Sequence, residues 1–322
     1  MDCLTSDVHI DEIDLTDETY RITTASLDDD LIDSITHIGL IHRPMLFRKG
    51  QGYGIVCGFR RVEALTRLGR ERIPACVLPE ATSRETCLKL SISDNRFQRQ
   101  LNVVEQARAI DKLTRYIDDP ATFENAVDRV LGIGRNQGLL RKLKAVASLP
   151  DHIQSLILKD RLDFSLAPRL EKMDGDDLAA MGSLLNIMKL SLNKQRELIT
   201  LATEIAKRDG ITINAVFTSE DIESILSTQE MDANQKAAQI RKSLKQRRYP
   251  ELTHAEDIFS RLLKNLNLPK EVQLIPPRHF EGNTYQLVIH FTSPGDLQVL
   301  QNELSGLSRH PIVQQLLDKA FE

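Results

Sequence analysis

The chain has 322 residues, 41% hydrophobic and 27% charged, with a formal net charge of -4. That length predicts two or three domains with more than one core. The longest stretch without a charged residue, Gly282–Gly295, falls well short of the ~20 apolar residues of a bilayer-spanning helix, which excludes a helical transmembrane protein. An acidic start, MDCLTSDVHIDE, lacks the basic-then-apolar order of a secretory signal and predicts a cytoplasmic chain. Cys3, Cys57, Cys76 and Cys87 form no C-x-x-C pair and read as reduced thiols rather than a disulfide scaffold or zinc site.

Leu27, Leu31 and Ile35 step by four on one helix face, with Gly39 placed to stop the helix. Pro44–Arg48 and Tyr53–Cys57 read as a hairpin around Lys49-Gly50-Gln51-Gly52. A short helix from Arg60 buries Ala64, Leu65 and Leu68 and ends at Gly69, before a strand over Ile73–Leu78. These elements predict a small α+β domain. From Ser83 to about Thr228 the pattern is helical. Asn102-Val103-Val104-Glu105 has the form of a capping box opening a helix toward Ile117. Thr122 is expected to cap a helix reaching Leu131, and another follows Gly132-Ile133-Gly134 to Leu149. Later helices are expected over Asp151–Lys159, Leu178–Leu190 and Asn193–Arg208. Met231–Tyr249 is polar, ends in Arg241, Lys242, Lys245, Arg247 and Arg248, and reads as a helical or flexible linker. Beyond it, alternation of Tyr285, Leu287, Ile289 and Phe291 predicts a strand with a partner at Val272 and Leu274. Ser293-Pro294-Gly295-Asp296 then opens a helix lined by Leu297, Leu300, Leu304 and Leu307. So small a segment has a marginal core, and self-association would complete it.

Three segments carry candidate chemistry. Cys57-Gly58-Phe59-Arg60-Arg61 sits where a strand gives way to a helix. Cations are unfavourable at the positive end of a helix dipole, and a bound phosphate would account for two of them: Gly58 admits the backbone, the helix start supplies N–H donors, and Arg60 and Arg61 clamp oxygens. The plainer reading pairs one arginine with Glu63 or the acidic N-terminal stretch and leaves the other in water. Asp94-Asn95 with Gln98 and Arg99 offers hard oxygen ligands of the kind Mg²⁺ accepts beside substrate phosphates, or simply a polar turn before a helix.

The segment Arg96–Arg169 holds thirteen Lys/Arg against nine Asp/Glu, net +4, a local footprint suited to nucleic acid. Within it, Thr122–Leu149 reads as a helix-turn-helix with Val130, Ile133, Leu140 and Leu143 inward. Asn136, Gln137, Arg141, Lys142 and Lys144 then lie on the opposite face. An ordinary helical hairpin with a basic face is the alternative, and either Gly132 or Gly134 can be the turn glycine.

In order and spacing these segments resemble the ParB partition-protein family. Gly58-x-Arg60-Arg61-x-x-Ala64 is similar to its G-E-R-R-x-R-A phosphate motif, with Ile73-Pro74 to Val77 at the expected distance beyond it. Asp94-Asn95-x-x-Gln98-Arg99-x-Leu101-Asn102 with Glu105 and Ala107 is similar to its E-N-x-Q-R segment, and Arg21 corresponds to the arginine of its first, weaker motif. Leu149-Pro150 and Asp151–Leu170 match the leucine-proline step and the downstream helices that lie after its helix-turn-helix. Phe59 stands where that pattern has glutamate, Glu63 where it has a second arginine, and one extra residue separates Asn95 from Gln98.

The resemblance implies an α+β ParB/sulfiredoxin-like nucleotide-binding domain over 8–100 and an all-α DNA-binding domain with a helix-turn-helix over 101–228. A linker over 229–253 and a small α+β dimerisation domain over 254–322 complete it. It also implies a nucleoid-associated homodimer that binds double-stranded DNA at a specific site, switches with CTP and Mg²⁺, and works with a ParA-type ATPase in chromosome or plasmid partition. Carried over by position, Arg21, Gly58, Arg60, Arg61, Asn95, Gln98 and Arg99 would bind nucleotide and Asn95 would hold the metal. Asp94 would take the acidic position linked to slow CTP hydrolysis, and Arg135, Asn136, Gln137, Arg141, Lys142 and Lys144 would face DNA. Replacing Arg60 and Arg61 by alanine is expected to remove nucleotide binding and spare the fold. A nucleotide-independent transcriptional regulator on the same scaffold is the alternative. A sulfiredoxin-like reductase would need its nucleophilic cysteine where Phe59 stands; Cys57, two residues earlier, is displaced by roughly 7 Å along a strand.

Overall fold

The computed structural model describes residues 4–134, 136–282 and 284–317. Cys3 and Arg135 lie outside them. The chain divides into two compact units, Met1–Ile187 and Met188–Glu322. This division falls inside the expected helical domain 101–228. No helix among the described residues is long and apolar enough to cross a membrane.

The first unit is built on a mixed sheet of β1 (Leu4–His9), β2 (Met45–Lys49), β3 (Gly52–Cys57) and β4 (Arg72–Val77), in the order β1-β4-β2-β3. β1 and β4 pair antiparallel, as do β2 and β3, while β2 runs parallel to β4. The hairpin is the expected one. The outer edge of β3 is blunted by a bridge between Ile13 and Tyr53, which limits pairing with another chain. Helices α1 (Asp29–Ile38), α2 (Phe59–Arg67) and α3 (Arg84–Gln98) complete the α+β part. Leu46, Val56, Val62, Ile73, Leu88 and Ile92 are fully buried between these elements. Asp28 opens α1 by accepting from the Leu31 amide, so the helix starts later than the Leu27 periodicity alone implies.

Cys57 and Cys87 are free and buried, but Cys76 is disulfide-bonded. The expectation of reduced thiols therefore fails at this position. Pairing of β1 with β4 sets Thr5 opposite Cys76, so residues remote in sequence are adjacent across a ladder, which cysteine spacing does not reveal.

Helices α4 (Val103–Tyr116), α5 (Pro120–Ala126), α6 (Gln137–Ser148), α7 (Asp151–Leu158), α8 (Ala167–Leu170) and α9 (Gly175–Ile187) form the rest of this unit. The Asn102–Glu105 capping box is present. Asp119, not Thr122, caps α5: its Oδ2 accepts from the Thr122 amide at 2.8 Å and hydroxyl at 2.6 Å. Pro120, at the first helical turn, needs no partner for an N–H and lets the carboxylate before it do the capping. The expected continuous helix to Leu131 becomes a turn of π-helix over Val127–Leu131, ended by Gly132 at φ 65°.

In the second unit, α10 (Leu192–Asp209), α11 (Ile213–Phe217), α12 (Glu220–Ser227), α13 (Ala233–Arg248) and α14 (Pro250–Leu266) precede β5 (Val272–Ile275), β6 (Gln286–Ile289), α15 (Pro294–Glu303) and α16 (Pro311–Leu317). The segment read as a linker contains a packed helix: Ala237, Ile240 and Leu244 of α13 are buried. Its basic end is neutralised locally, since Arg241 pairs with Glu197, Arg248 with Glu204, Arg247 with Asp209 and Lys245 with Glu256. These partners lie on other helices and raise no periodicity in the segment itself. The β5–β6 ladder and the Ser293–Asp296 capping box match expectation.

Glu105 is the most consequential buried charge. It is fully buried, takes two 2.6 Å hydrogen bonds from Arg99, and accepts from the amides of Thr24 and Asn102. Burial pushes its carboxyl up, yet the Arg99 and amide hydrogen bonds outweigh this and hold it below the ordinary 4.5. A depressed folded-state pKa contributes stability above the unfolded value that is lost as pH falls through the folded one. Glu105→Gln should therefore cost about 2 kcal/mol at pH 7. In acid titrations observed by circular dichroism, the gap from wild type should close as pH falls below 4.5.

Candidate functional site

The sequence turns from strand to helix at Gly58, whose φ of 87° is left-handed and whose added Cβ would meet the Arg61 guanidinium at 2.9 Å. Both facts demand glycine. No side chain caps α2, so its first amides remain available to an anion. In front of them lies a cleft of about 280 Å³ lined by Gly58, Arg60, Arg61, Asp94, Asn95, Gln98 and Arg99, with Ile22, Leu31, Ile35, Leu40 and Ile41 as an apolar wall. Seven of the eight residues expected around a nucleotide thus converge. The eighth, Arg21, is absent from the lining: it pairs with Glu63 at 2.7 Å and lies over the Phe59 ring. Arg21 therefore braces the buried side of α2, because Phe59 points into the core and Glu63 supplies the counter-charge.

The two arginines of the turn differ. Arg61 is satisfied by protein: it donates to the carbonyls of His42 at 2.8 Å and Arg43 at 3.2 Å, and to Asp94 Oδ2 at 3.2 Å. Arg60 pairs with Asp28, while its Nε is buried without an acceptor among the described residues. The Leu31 amide and then Arg60, against some desolvation, hold the Asp28 carboxyl below its usual range. Each guanidinium thus meets a carboxylate of the chain itself, yet the cleft before them stays open.

On α3, Asp94 also accepts from Gln98 at 2.9 Å. The Asn95 amide nitrogen donates to the Ser91 carbonyl at 2.9 Å, which leaves its carbonyl oxygen as the group able to face a cation. Mg²⁺ bound through substrate phosphates needs only one or two protein oxygens. Asn95 fits that demand, and no larger His, Cys, Asp or Glu cluster occurs among the described residues. Arg99 is oriented by Glu105 and by Thr23 Oγ at 3.2 Å. Sequence reasoning missed Asp28, Thr23 and the carbonyls of His42 and Arg43. Only Asp28, a capping residue just before an apolar-periodic run, left a readable signal.

Burial lifts the Cys57 thiol far above the ordinary cysteine range, opposite to what a nucleophilic thiolate requires.

In the helix-break-helix, Val130, Leu140 and Leu143 are buried and Ile133 is half-buried. Asn136, Gln137, Arg141 and Lys144 are exposed and Lys142 is half-buried. Asn136 caps α6 through the Leu139 amide, Gln137 donates to Glu124 at 2.7 Å, and Lys144 lies 4.9 Å from the Phe123 ring centroid. Arg96 of α3 donates to the carbonyls of Arg129 and Val130 and thereby closes the π turn.

Arg61 ties α2 to two segments, the His42–Arg43 loop and α3, whereas Arg60 ties it to Asp28 alone, so the two alanine substitutions should differ in their cost to stability. Arg61→Ala alone should cost about 2 kcal/mol, a Tm fall of about 5 °C by calorimetry, whereas Arg60→Ala should move Tm by under about 2 °C.

Among known proteins, residues 5–95 match the ParB N-terminal domain family model. The chain is 28% identical over 184 residues to Stage 0 sporulation protein J of Bacillus subtilis, covering 52% of this chain and 62% of that protein. It is 25% identical over 171 residues to the probable chromosome-partitioning protein ParB of Coxiella burnetii, covering 53% and 57%. The matched part thus spans about three fifths of those relatives' length. A solved structure of C-terminally truncated chromosome-partitioning protein ParB from Caulobacter crescentus, complexed with CTP-gamma-S, is similar at 21% identity, covering 57% of this chain and 99% of that one. Its TM-score is 0.27. The family match takes in the sheet, the arginine turn and α3 as far as Asn95, so it is to a ParB N-terminal domain that residues 5–95 of this chain are similar.

Proposed function

We propose that the protein is a site-specific DNA-binding partition protein of the ParB kind, and that its N-terminal cleft binds CTP with Mg²⁺. The observation that carries this reading is the convergence of Gly58, Arg60, Arg61, Asp94, Asn95, Gln98 and Arg99 on one cleft at an uncapped helix start. The apolar wall suits a base and the arginine side suits phosphates. Arg60 and the first α2 amides take phosphate oxygens, Asn95 offers its carbonyl oxygen to the metal, and Asp94, held by Arg61 and Gln98, occupies the acidic position for slow hydrolysis. Arg21 acts behind the cleft rather than on the ligand. The start and outer side of α6, with Asn136, Gln137, Arg141 and Lys144 exposed and Lys142 half-buried, is the DNA-facing surface, amides reading base edges and cations holding phosphates. Arg135 belongs to the same proposal.

Self-association through the C-terminal module rests on apolar side chains left in water there. Leu287, Phe291 and Val299 are 41%, 52% and 56% exposed, on and beside a two-stranded sheet that alone buries little. A nucleotide-independent regulator is the second reading. It is favoured by the pairing of Arg60 and Arg61 with Asp28 and Asp94, which leaves the turn without an uncompensated cation.

Calorimetry with CTP, ATP, GTP and UTP separates the two: the first reading requires CTP binding that Arg60→Ala removes, and DNA binding without any nucleotide binding supports the second. On duplexes recovered with the purified protein, Arg141→Ala should weaken binding and reduce the salt slope by about one. Leu287→Arg should convert a dimer to a monomer in light scattering.

A further inference from the structure

We infer that Asp28 is a built-in competitor for the ligand's phosphates and sets how much negative charge a ligand must bring to the cleft. The inference rests on the reading of the cleft as a phosphate site. Asp28 uses its two oxygens differently. Oδ1 accepts from the Leu31 amide at 3.1 Å and caps α1, while Oδ2 holds Arg60 Nη2. The second contact is single-pronged, and Arg60 Nε, buried, has no acceptor among the described residues. A phosphoryl group presents several oxygens and can satisfy two guanidinium nitrogens at once, whereas Asp28 Oδ2 engages only one.

The exchange is cheap on the protein's side. The Asp28 side chain is 56% exposed, so water rehydrates its released oxygen while Oδ1 keeps the helix capped. Arg61 has less freedom, because two carbonyls and Asp94 already hold both of its terminal nitrogens. Arg60 is therefore the exchangeable cation of the pair and Asp28 its resting partner. A triphosphate displaces Asp28 readily, whereas a monophosphate, at about −1.5 to −2, exceeds the carboxylate's single charge by much less.

Asp28→Asn and Asp28→Ser test this, because both retain a helix-capping side chain and remove the charge. By calorimetry with Mg²⁺, both should bind CTP and inorganic triphosphate about fivefold more tightly than wild type, with Tm preserved. CMP should gain detectable binding. If wild type binds CTP, Arg60→Ala loses it, and both Asp28 variants bind with unchanged or weaker affinity, the competitor role is overturned while the nucleotide reading stands. If wild type and both variants all fail to bind CTP and triphosphate, the nucleotide reading itself fails and takes this inference with it.

Discussion

Two guanidinium groups at the positive end of a helix are unfavourable by a few tenths to about 1 kcal/mol each unless anions answer them. Here the answer comes from three directions: Asp28 at the start of α1, Asp94 on α3, and the carbonyls of His42 and Arg43 in the loop between α1 and β2. Below this polar junction, Phe59, Val62, Ala64 and Leu65 of α2 are buried. The apolar face fixes where α2 sits, and the charged first turn then determines where α1, α3 and the loop end. The cleft is the space these four segments enclose, so the same contacts that shape the fold also define what ligand it admits.

Much of this was legible in the sequence because it depends on short-range rules. The hairpin, the Gly58 turn, the Asn102–Glu105 box and the Ser293–Asp296 box each declare themselves within a few residues, and each is present. What escaped depends on contacts between remote segments. Arg21 sits at a motif-like position, but the Phe59 ring and the Glu63 carboxylate draw it behind the helix. The cross-ladder neighbourhood of Cys76 is set by strand pairing. Met231–Tyr249 reads as a helical or flexible linker, and its packing into the unit escapes because only Ala237, Ile240 and Leu244 are inward and its charges are compensated by other helices.

The second unit is organised differently from the first. Its helical part is tied by cross-helix ion pairs at the surface of an apolar seam, with Leu198, Ala202 and Ile205 of α10 buried. Its strand-containing end has a thinner interior: Val272 and Leu300 are buried, yet Ile275, Leu287 and Phe291 remain substantially exposed. Strand register sets Val272 and Leu274 opposite Ile289 and Leu287 on one face of the ladder, with Ile275 and Val288 on the other. Apolar side chains thus stand on both faces of a sheet of only two strands.

Gly132 and Arg96 are bound together by shape as well as hydrogen bonding. A methyl group at Gly132 would collide with the Arg96 guanidinium, which is held in place by the carbonyls of Arg129 and Val130. Neither position can be diversified independently: enlarging the glycine evicts the arginine, and shortening the arginine strands two carbonyls beside a turn already in the left-handed region. Shortening Arg96 would open room beside Gly132 but would not relieve the left-handed backbone there, so the turn holds its glycine and its arginine for separate reasons that meet at one point.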